Sequence, residues 1–367
     1  MSLWCDKYRP KTLAELDFNR PQAAMLKKLL ANENFPHLAV FGTSGSGKMT
    51  RVKALLYELF DVSSTKLRIE SKVYEAPSGK KIEQRYVTSN FHIEVNPSES
   101  GFYDRVVVQQ LLKDVATSDS LSKRHPFKVV VVHEADRLTR EAQQGLRRTL
   151  EKYVSSCRVI LVGERVSRLI PALKSRCLAV RNAAPSAAEI TAILQKVATL
   201  EDFSSPALPA AIKKIVDGCD GNLRRAILML QAFACNQEAA GSSSSKNSST
   251  AILSFRWQEL INKLATSLVE SQSPRKVGEI RTILSELQVH LIPPELVLRL
   301  LLLQLLPRCL DGEMSGQLIR LAAAVDQRLA LGSKSLIHLE LFAVQFMALF
   351  RCSIESIAFD LECSMDF

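Results

Sequence analysis

The chain has 367 residues, of which 47% are hydrophobic and 23% charged, and its formal net charge is +10 at pH 7. This length and composition are typical of a soluble globular protein with two or three domains, and the excess of Lys and Arg favours a polyanionic partner such as a nucleic acid. The longest apolar run, residues 296–306, is too short to cross a bilayer, the N-terminus lacks a secretion signal, and the scattered cysteines contain no C-x-x-C pair. We therefore expect no membrane partner, a cytosolic or nuclear location and free buried thiols.

A glycine-rich loop at residues 42–50 is the first motif that indicates a function. Its spacing of Gly, four residues, Gly and Lys predicts a buried strand at 38–42, a phosphate-binding loop and a helix at 48–60. The residue after the lysine normally offers a hydroxyl to magnesium, but here it is Met49. Phosphate binding and hydrolysis are therefore predicted to be separated in this protein. The residues of the loop are Gly42, Thr43, Ser44, Gly45, Ser46, Gly47, Lys48, Met49 and Thr50.

Strands and helices alternate after this loop. Fully apolar strands between helical patterns are typical of a parallel sheet that is covered on both faces. Residues 69–88 depart from this pattern and are predicted to form an inserted hairpin. The other predicted elements are strands at 92–95, 129–132 and 159–162 and helices at 106–116 and 141–152.

The chain is predicted to become helical beyond Pro185. A small helical domain with helices at 186–199, 209–217 and 222–235 is followed by a serine-rich stretch that is too polar to pack and reads as a flexible linker. A third, wholly helical region is predicted from residue 255 to about 353. Within it, Pro294 begins one helix and Gly332 separates two others.

A second part of the site is predicted where the strand at 129–132 ends, in the sequence His133, Glu134, Ala135, Asp136. In ATPases with a phosphate-binding loop, an Asp at the first position is associated with the metal and the next residue, Glu, orients the attacking water. The first position is His133 here, and imidazole is a poor ligand for a hard cation that prefers oxygen. Both magnesium positions are therefore changed. His133 is either a strand-end histidine bonded to its neighbours or a residue that acts on a phosphate.

Several further motifs occur in one order with this pair. They are Ser175-Arg176-Cys177 and six longer segments, residues 4–10, 94–98, 104–109, 142–151, 221–226 and 331–340. The ordered set resembles the small subunits of replication factor C, the eukaryotic loader of the sliding clamp. Any one motif would be weak, but together they cover nearly the whole chain.

The resemblance implies a fold that is α/β plus all-α: an AAA+ module with a parallel sheet, a helical lid, and a helical collar through which five subunits form an arc. It implies ADP or ATP as cofactor, with magnesium weak or absent at this subunit. The implied partners are the other replication factor C subunits, the sliding clamp and primer-template DNA, in the nucleus. The corresponding domains are 1–184 for the AAA+ module, 185–237 for the lid, 238–254 for the linker, 255–353 for the collar and 354–367 for the tail.

Roles at nucleotide sites follow from the same resemblance. Arg176 matches the arginine finger that acts on the ATP of the adjacent subunit, and Arg224 matches the sensor arginine of the lid. Arg9 and Pro10 match the segment that borders the adenine. Glu164 stands twelve residues before the finger, where the family usually has Asn, and its carboxylate would repel a γ-phosphate.

DNA contacts are implied at the starts of two helices in the AAA+ module, near Arg105 and near Arg137 and Arg140. Helix N-termini attract phosphates without reading sequence. Each of these basic residues is also open to interpretation as a solvated surface residue. Four further cations would add to the positive electrostatic potential that attracts DNA, namely Lys80, Lys81, Lys123 and Arg124.

Two functional hypotheses follow. In the first, the chain holds nucleotide without hydrolysing it at a useful rate and supplies Arg176 to the nucleotide site of the neighbouring subunit. In the second, it is a catalytically active ATPase in which Thr50, Glu134, Asp136 and Glu164 rebuild a metal site. A kinase with a phosphate-binding loop fits less well, because Arg224 and the long helical C-terminus are typical of oligomeric AAA+ proteins.

Overall fold

The structure is a computed structural model that divides into two compact units, Met1–Ser249 and Thr250–Phe367. Most of the predicted linker, residues 241–254, lies outside the described residues, as do Lys80, Lys123 and Arg124. The residues that the structure describes are 2–30, 35–60, 67–75, 79, 81–117, 127–154, 156–203, 205–240, 255–332 and 334–365.

A seven-stranded sheet in the order β2-β3-β4-β5-β6-β1-β7 occupies the first unit. Five neighbouring strands, from β4 through β7 in that order, pair in parallel as the alternating pattern predicts. The predicted hairpin consists of β2 and β3, which pair antiparallel and extend the sheet beyond β4, so the whole sheet is mixed. The strands are β1 Leu38–Phe41, β2 Arg68–Glu75, β3 Lys81–Thr88, β4 His92–Val95, β5 Lys128–Val132, β6 Cys157–Gly163 and β7 Leu178–Arg181.

Both faces of the sheet are buried along β1, β5 and β6, which explains why these parallel strands form continuous apolar runs in the sequence. Along β1, Leu38 and Val40 face one apolar cluster while Ala39 and Phe41 face the other. Helices cover both faces. Those of the first unit are α1 Trp4–Lys7, α2 Arg20–Leu30, α3 Lys48–Phe60, α4 Asp104–Thr117, α5 Arg140–Lys152, α6 Pro171–Lys174, α7 Ala187–Leu200, α8 Leu208–Gly218 and α9 Leu223–Ala240.

Strand β7 is absent from the sequence-based prediction. It is four residues long and only Val180 within it is buried, so its pattern is too weak to distinguish it from a loop. Pairing with β1 stabilises it: Leu178 N donates to His37 O at 2.8 Å, and Asn182 N donates to Phe41 O at 2.6 Å. The partner strand, which lies far away in sequence, therefore determines this element.

The second unit is a helical domain with its own apolar core, as expected from its sequence. Phe342 and Phe346 of its last helix are fully buried in that core. By length and composition alone, Ser335–Glu355 would also suffice to cross a membrane, but these phenylalanines pack among the neighbouring helices. The helices are α10 Arg256–Glu270, α11 Pro274–Val289, α12 Pro294–Leu305, α13 Gly312–Leu331 and α14 Ser335–Met365.

Helix α14 continues beyond residue 353, where the sequence pattern placed the end of the helical region. No Gly or Pro lies between Ile354 and Met365, and these are the residues that most strongly stop a helix. The backbone of this segment therefore has no local reason to leave the helical conformation.

We expect Leu318→Ala to lower the free energy of unfolding of the second unit by about 2 to 5 kcal/mol, because Leu318 is 0% exposed in its core. The adjacent Ile319 is 50% exposed, so Ile319→Ala is a matched control expected to cost much less. Guanidinium unfolding followed by Trp257 fluorescence in a Trp4→Phe background measures both variants. Equal losses would contradict the assignment of this core.

We expect His37 to make the free energy of unfolding of the first unit depend on pH. Its Nδ1 accepts a hydrogen bond from Val159 N at 3.1 Å, and burial, with the nearby charge of Arg158, lowers its pKa to about 4. The unfolded histidine takes up a proton near pH 6.5, so between these two values the unfolded state binds more protons and the free energy of unfolding falls as pH falls.

The test compares the wild type with His37→Asn by denaturant unfolding at pH 7 and pH 4.5. The wild type should lose roughly 2 to 3 kcal/mol more than the variant over this interval. Parallel pH profiles for the two proteins would show that His37 is not the group responsible.

Candidate nucleotide site

A cavity of about 570 Å³ lies in the first unit, beside the glycine-rich loop and at the carboxyl ends of β5 and β6. Carboxyl ends of parallel strands meet at one edge of a sheet, which is where α/β folds bind ligands. Arg176, Arg105, Arg137 and Arg140 do not line this cavity. The sequence-predicted residues that do line it are Arg9, Pro10, Ser44, Gly45, Gly47, Lys48, Met49, Thr50, His133, Glu134, Asp136, Glu164 and Arg224.

The loop needs glycine at two positions for different reasons. Gly45 has a φ of +73°, in the left-handed region, and a Cβ added there would lie 1.7 Å from Asn222 Oδ1. At Gly42 the backbone conformation is ordinary, but an added Cβ would lie 2.1 Å from Asn182 O. The loop is therefore pressed against residues from other parts of the chain.

Two asparagines hold the loop in place. Asn182, which follows β7 and is 1% exposed, donates from Nδ2 to Ser46 O at 2.6 Å. Asn222 touches Gly45 and accepts from Arg225 N at 3.0 Å at the start of α9. Sequence reasoning did not assign either residue to the site, because no local motif links them to the loop.

The side chains around the start of α3 each contact another part of the first unit. Lys48 Nζ donates to Gly42 O at 2.7 Å and to Thr43 O at 2.9 Å. Burial lowers the pKa of Lys48, although the charges of Glu164 and Asp136 oppose that shift. Met49 packs against the apolar core beneath the loop, and Thr50 Oγ1 accepts from Arg9 Nη1 at 3.2 Å.

The residues after β5 form separate contacts. Glu134 has a φ of +49°, and its Oε2 accepts from Ser98 Oγ at 3.2 Å and lies 3.3 Å from Arg137 Nη1. Asp136 Oδ1 accepts from Glu164 N at 3.3 Å, which brings the two predicted acidic positions together. His133 Nε2 instead lies 3.3 Å from Oε2 of Glu94, a buried residue of β4.

Arg176 contacts its own chain outside the cavity. Its Nε donates to Glu151 Oε1 at 2.6 Å and its Nη1 donates to Ala172 O at 2.7 Å. The side chain remains 29% exposed. Glu151, at the end of α5, therefore orients Arg176, a role that the sequence motif containing Glu151 did not indicate.

The starts of α4 and α5 are tied together by one buried carboxylate. Asp104 accepts from Thr139 N at 2.7 Å and from Thr139 Oγ1 at 2.8 Å, and Thr139 caps α5. Arg105 is the second residue of α4 and Arg140 the first of α5, and Arg105 Nη1 lies 3.3 Å from Glu141 Oε2. Two helix N-termini with exposed arginines are thus adjacent, an arrangement that attracts phosphate.

The donor set fits nucleotide phosphates. A glycine-rich loop opening a helix that begins with Lys48 can bind phosphates through backbone N–H groups. Within the described part of the chain, no group of three or more His, Cys, Asp and Glu side chains is placed to hold a metal.

The chain is similar to known proteins along nearly its whole length. Residues 257–354 match the family described as replication factor C subunit 3, C-terminal domain, residues 192–235 match the RCF1/5-like AAA+ ATPase lid domain, and residues 19–185 match DNA polymerase III, delta subunit. Replication factor C subunit 3 of Mus musculus is 43% identical over 357 residues, 97% of this chain and 98% of that protein.

One more relative and one solved structure complete the comparisons. Replication factor C subunit 5 of Schizosaccharomyces pombe is 40% identical over 350 residues, 95% of this chain and 96% of that protein. Among solved structures, a RuvB variant of Thermotoga maritima gives a TM-score of 0.49 at 18% identity, over 72% of this chain and 80% of that one.

We expect Gly45→Ala to weaken ADP binding by at least about tenfold, because a left-handed backbone and a steric clash both disfavour the binding conformation of the loop. Gly79→Ala is the matched control, since Gly79 has a φ of +75° but no atom of the described residues lies within 4 Å of an added Cβ. Adding Asn222→Ala to Gly45→Ala removes the clash and should recover part of the affinity. Titration with a fluorescent ADP measures all three, and unchanged binding by Gly45→Ala would contradict this geometry.

Proposed function

We propose a function for this chain on the ground that it belongs to the replication factor C family of AAA+ clamp-loader subunits. It holds nucleotide without hydrolysing it, and it supplies Arg176 to the site of a neighbouring subunit. Within the hetero-pentamer it would help to open the sliding clamp and load it onto primer-template DNA. Replication and repair in the nucleus are the corresponding processes. Family membership supports the clamp-loader role, and the residues of the site support the division of labour.

The observation that carries this proposal is the loss of oxygen ligands at both magnesium positions. Met49 packs into the core and His133 is bonded to Glu94, so neither offers an oxygen to a metal. ADP or ATP would still be held by the loop, Lys48 and Arg224. Magnesium would bind weakly or not at all.

The alternative, a catalytically active subunit with a rebuilt metal site, requires four other oxygen-bearing side chains to converge. Their contacts disfavour it: Thr50 faces Arg9, Glu134 is engaged by Ser98 and Arg137, and Asp136 accepts from the backbone of Glu164. Thr50, Glu134 and Asp136 each already have a partner with which a metal would compete.

Arg176 suits action in another subunit's site. It does not line the cavity of its own chain, and its exposed guanidinium is oriented by Glu151. A planar, permanently charged guanidinium can neutralise charge on a transferring phosphoryl group. Arg105, Arg137 and Arg140, near the adjacent starts of α4 and α5, would contact the DNA backbone.

In the reconstituted five-subunit complex, we expect Arg176→Ala to reduce single-turnover hydrolysis at the neighbouring site by roughly 10³-fold or more. Lys48→Ala should weaken nucleotide binding by this chain but change the clamp-stimulated rate little. Lys174→Ala, an exposed cation in the adjacent α6, controls for general loss of charge. Equal losses from Arg176→Ala and Lys48→Ala, or a larger loss from Lys48→Ala, would refute this division of labour.

A further inference from the structure

Glu94 and His133 form a pair behind the cavity, across two neighbouring parallel strands. Glu94 lies in β4 opposite Val131 of β5, and His133 follows β5 directly. The backbone fixes their separation, because His133 N donates to Val95 O at 2.8 Å and prolongs the pairing of the strands. The side chains then meet with His133 Nε2 3.3 Å from Glu94 Oε2.

The protonation of this pair follows from the chemistry of its atoms. Burial opposes ionisation of Glu94, which is 7% exposed, but the hydrogen bond from His133, the nearby His92 and the charge of Lys53 outweigh it and hold the pKa of Glu94 well below its usual range. A carboxylate can only accept, so His133 Nε2 must carry the shared hydrogen. Nδ1 is therefore the ring nitrogen that remains for another partner.

Glu94 also lies beside a second histidine. Its Oε1 accepts no hydrogen bond from any described residue, and His92 Nε2 lies 3.6 Å away. A buried carboxylate with an unused oxygen stabilises a neighbouring cation. When the imidazole of His133 is charged, Nδ1 carries a hydrogen and can donate a hydrogen bond to a phosphate oxygen, which accepts it.

His133 is placed to use that donor. Its side chain is 26% exposed and lines the same cavity as Lys48 and Arg224. Of the acidic residues that line the cavity, Glu15, Asp17, Glu134 and Asp136 are each held by another partner, and Glu164 lines it as well. The ring therefore occupies the position of the metal-associated carboxylate. It lies between the buried carboxylate of Glu94 and the cavity.

We propose that His133, oriented by the buried carboxylate of Glu94, is a binding residue for the phosphates of the nucleotide and takes the place of the metal ion. The inference rests on the proposed nucleotide-holding function and deepens it. It assigns the ligand class as a nucleoside diphosphate or triphosphate bound free of magnesium. It also makes Glu94 a positioning residue.

The test measures the dissociation constant of ADP for the full chain in EDTA and in magnesium. The wild type should give the same value in both buffers. His133→Asn should weaken binding at least about tenfold in EDTA, the effect of losing one hydrogen bond from a charged donor. His133→Asp should bind most weakly in EDTA and regain affinity when magnesium is added, because it restores an oxygen ligand.

Two further variants separate binding from folding. Glu94→Gln keeps the shape but removes the charge behind the ring, and should weaken ADP binding in EDTA by protein that circular dichroism shows to be folded. His290→Asn is the matched control, since His290 forms an exposed pair with Glu286 at 3.8 Å on α11. It should leave ADP binding unchanged.

The outcomes distinguish this inference from the function on which it rests. Binding of ADP by His133→Asn as tight as that of the wild type in EDTA, or loss of wild-type binding on removal of magnesium, would overturn the role of His133. No binding by the wild type in either buffer, with no effect of Lys48→Ala, would instead overturn the nucleotide-holding function.

Discussion

The parallel pairing of β1 with β6 and β7 is the constraint on which the site depends. It aligns Phe41 with Gly163 on one side and with Arg181 on the other. The residues that follow these positions are the glycine-rich loop, Glu164 and Asn182, and they consequently lie together. Because parallel strands share one carboxyl edge, segments that are more than a hundred residues apart in sequence form a single cavity.

The electrostatics of that cavity explain how binding and hydrolysis can be separated. A phosphate-binding loop needs N–H donors and a cation, which the loop and Lys48 supply. Metal-assisted hydrolysis needs oxygen ligands in fixed geometry, and the chain has a thioether at Met49 and an imidazole at His133 instead. The two requirements use different residues, so one can be lost while the other remains.

In an assembly of subunits, such a loss would be tolerable. Arg176 has no contact with the cavity of its own chain, and Glu151 presents it at the surface. A subunit with this arrangement can influence hydrolysis at the site of the neighbouring subunit even when its own site only holds nucleotide. In this proposal the nucleotide in the cavity has a structural role, since it joins the loop to the lid helix that begins after Asn222.

The sequence by itself determined the parallel strands β1, β4, β5 and β6, the loop, the helices that follow, and the absence of oxygen ligands at Met49 and His133. Those features depend on local periodicity and spacing, which can be read along the chain. Only the tertiary structure decided the short strand β7, the extension of the sheet by the hairpin, the clamping of the loop by Asn182 and Asn222, and the pairing of His133 with Glu94. Each of these depends on contacts between distant segments, which no local pattern encodes.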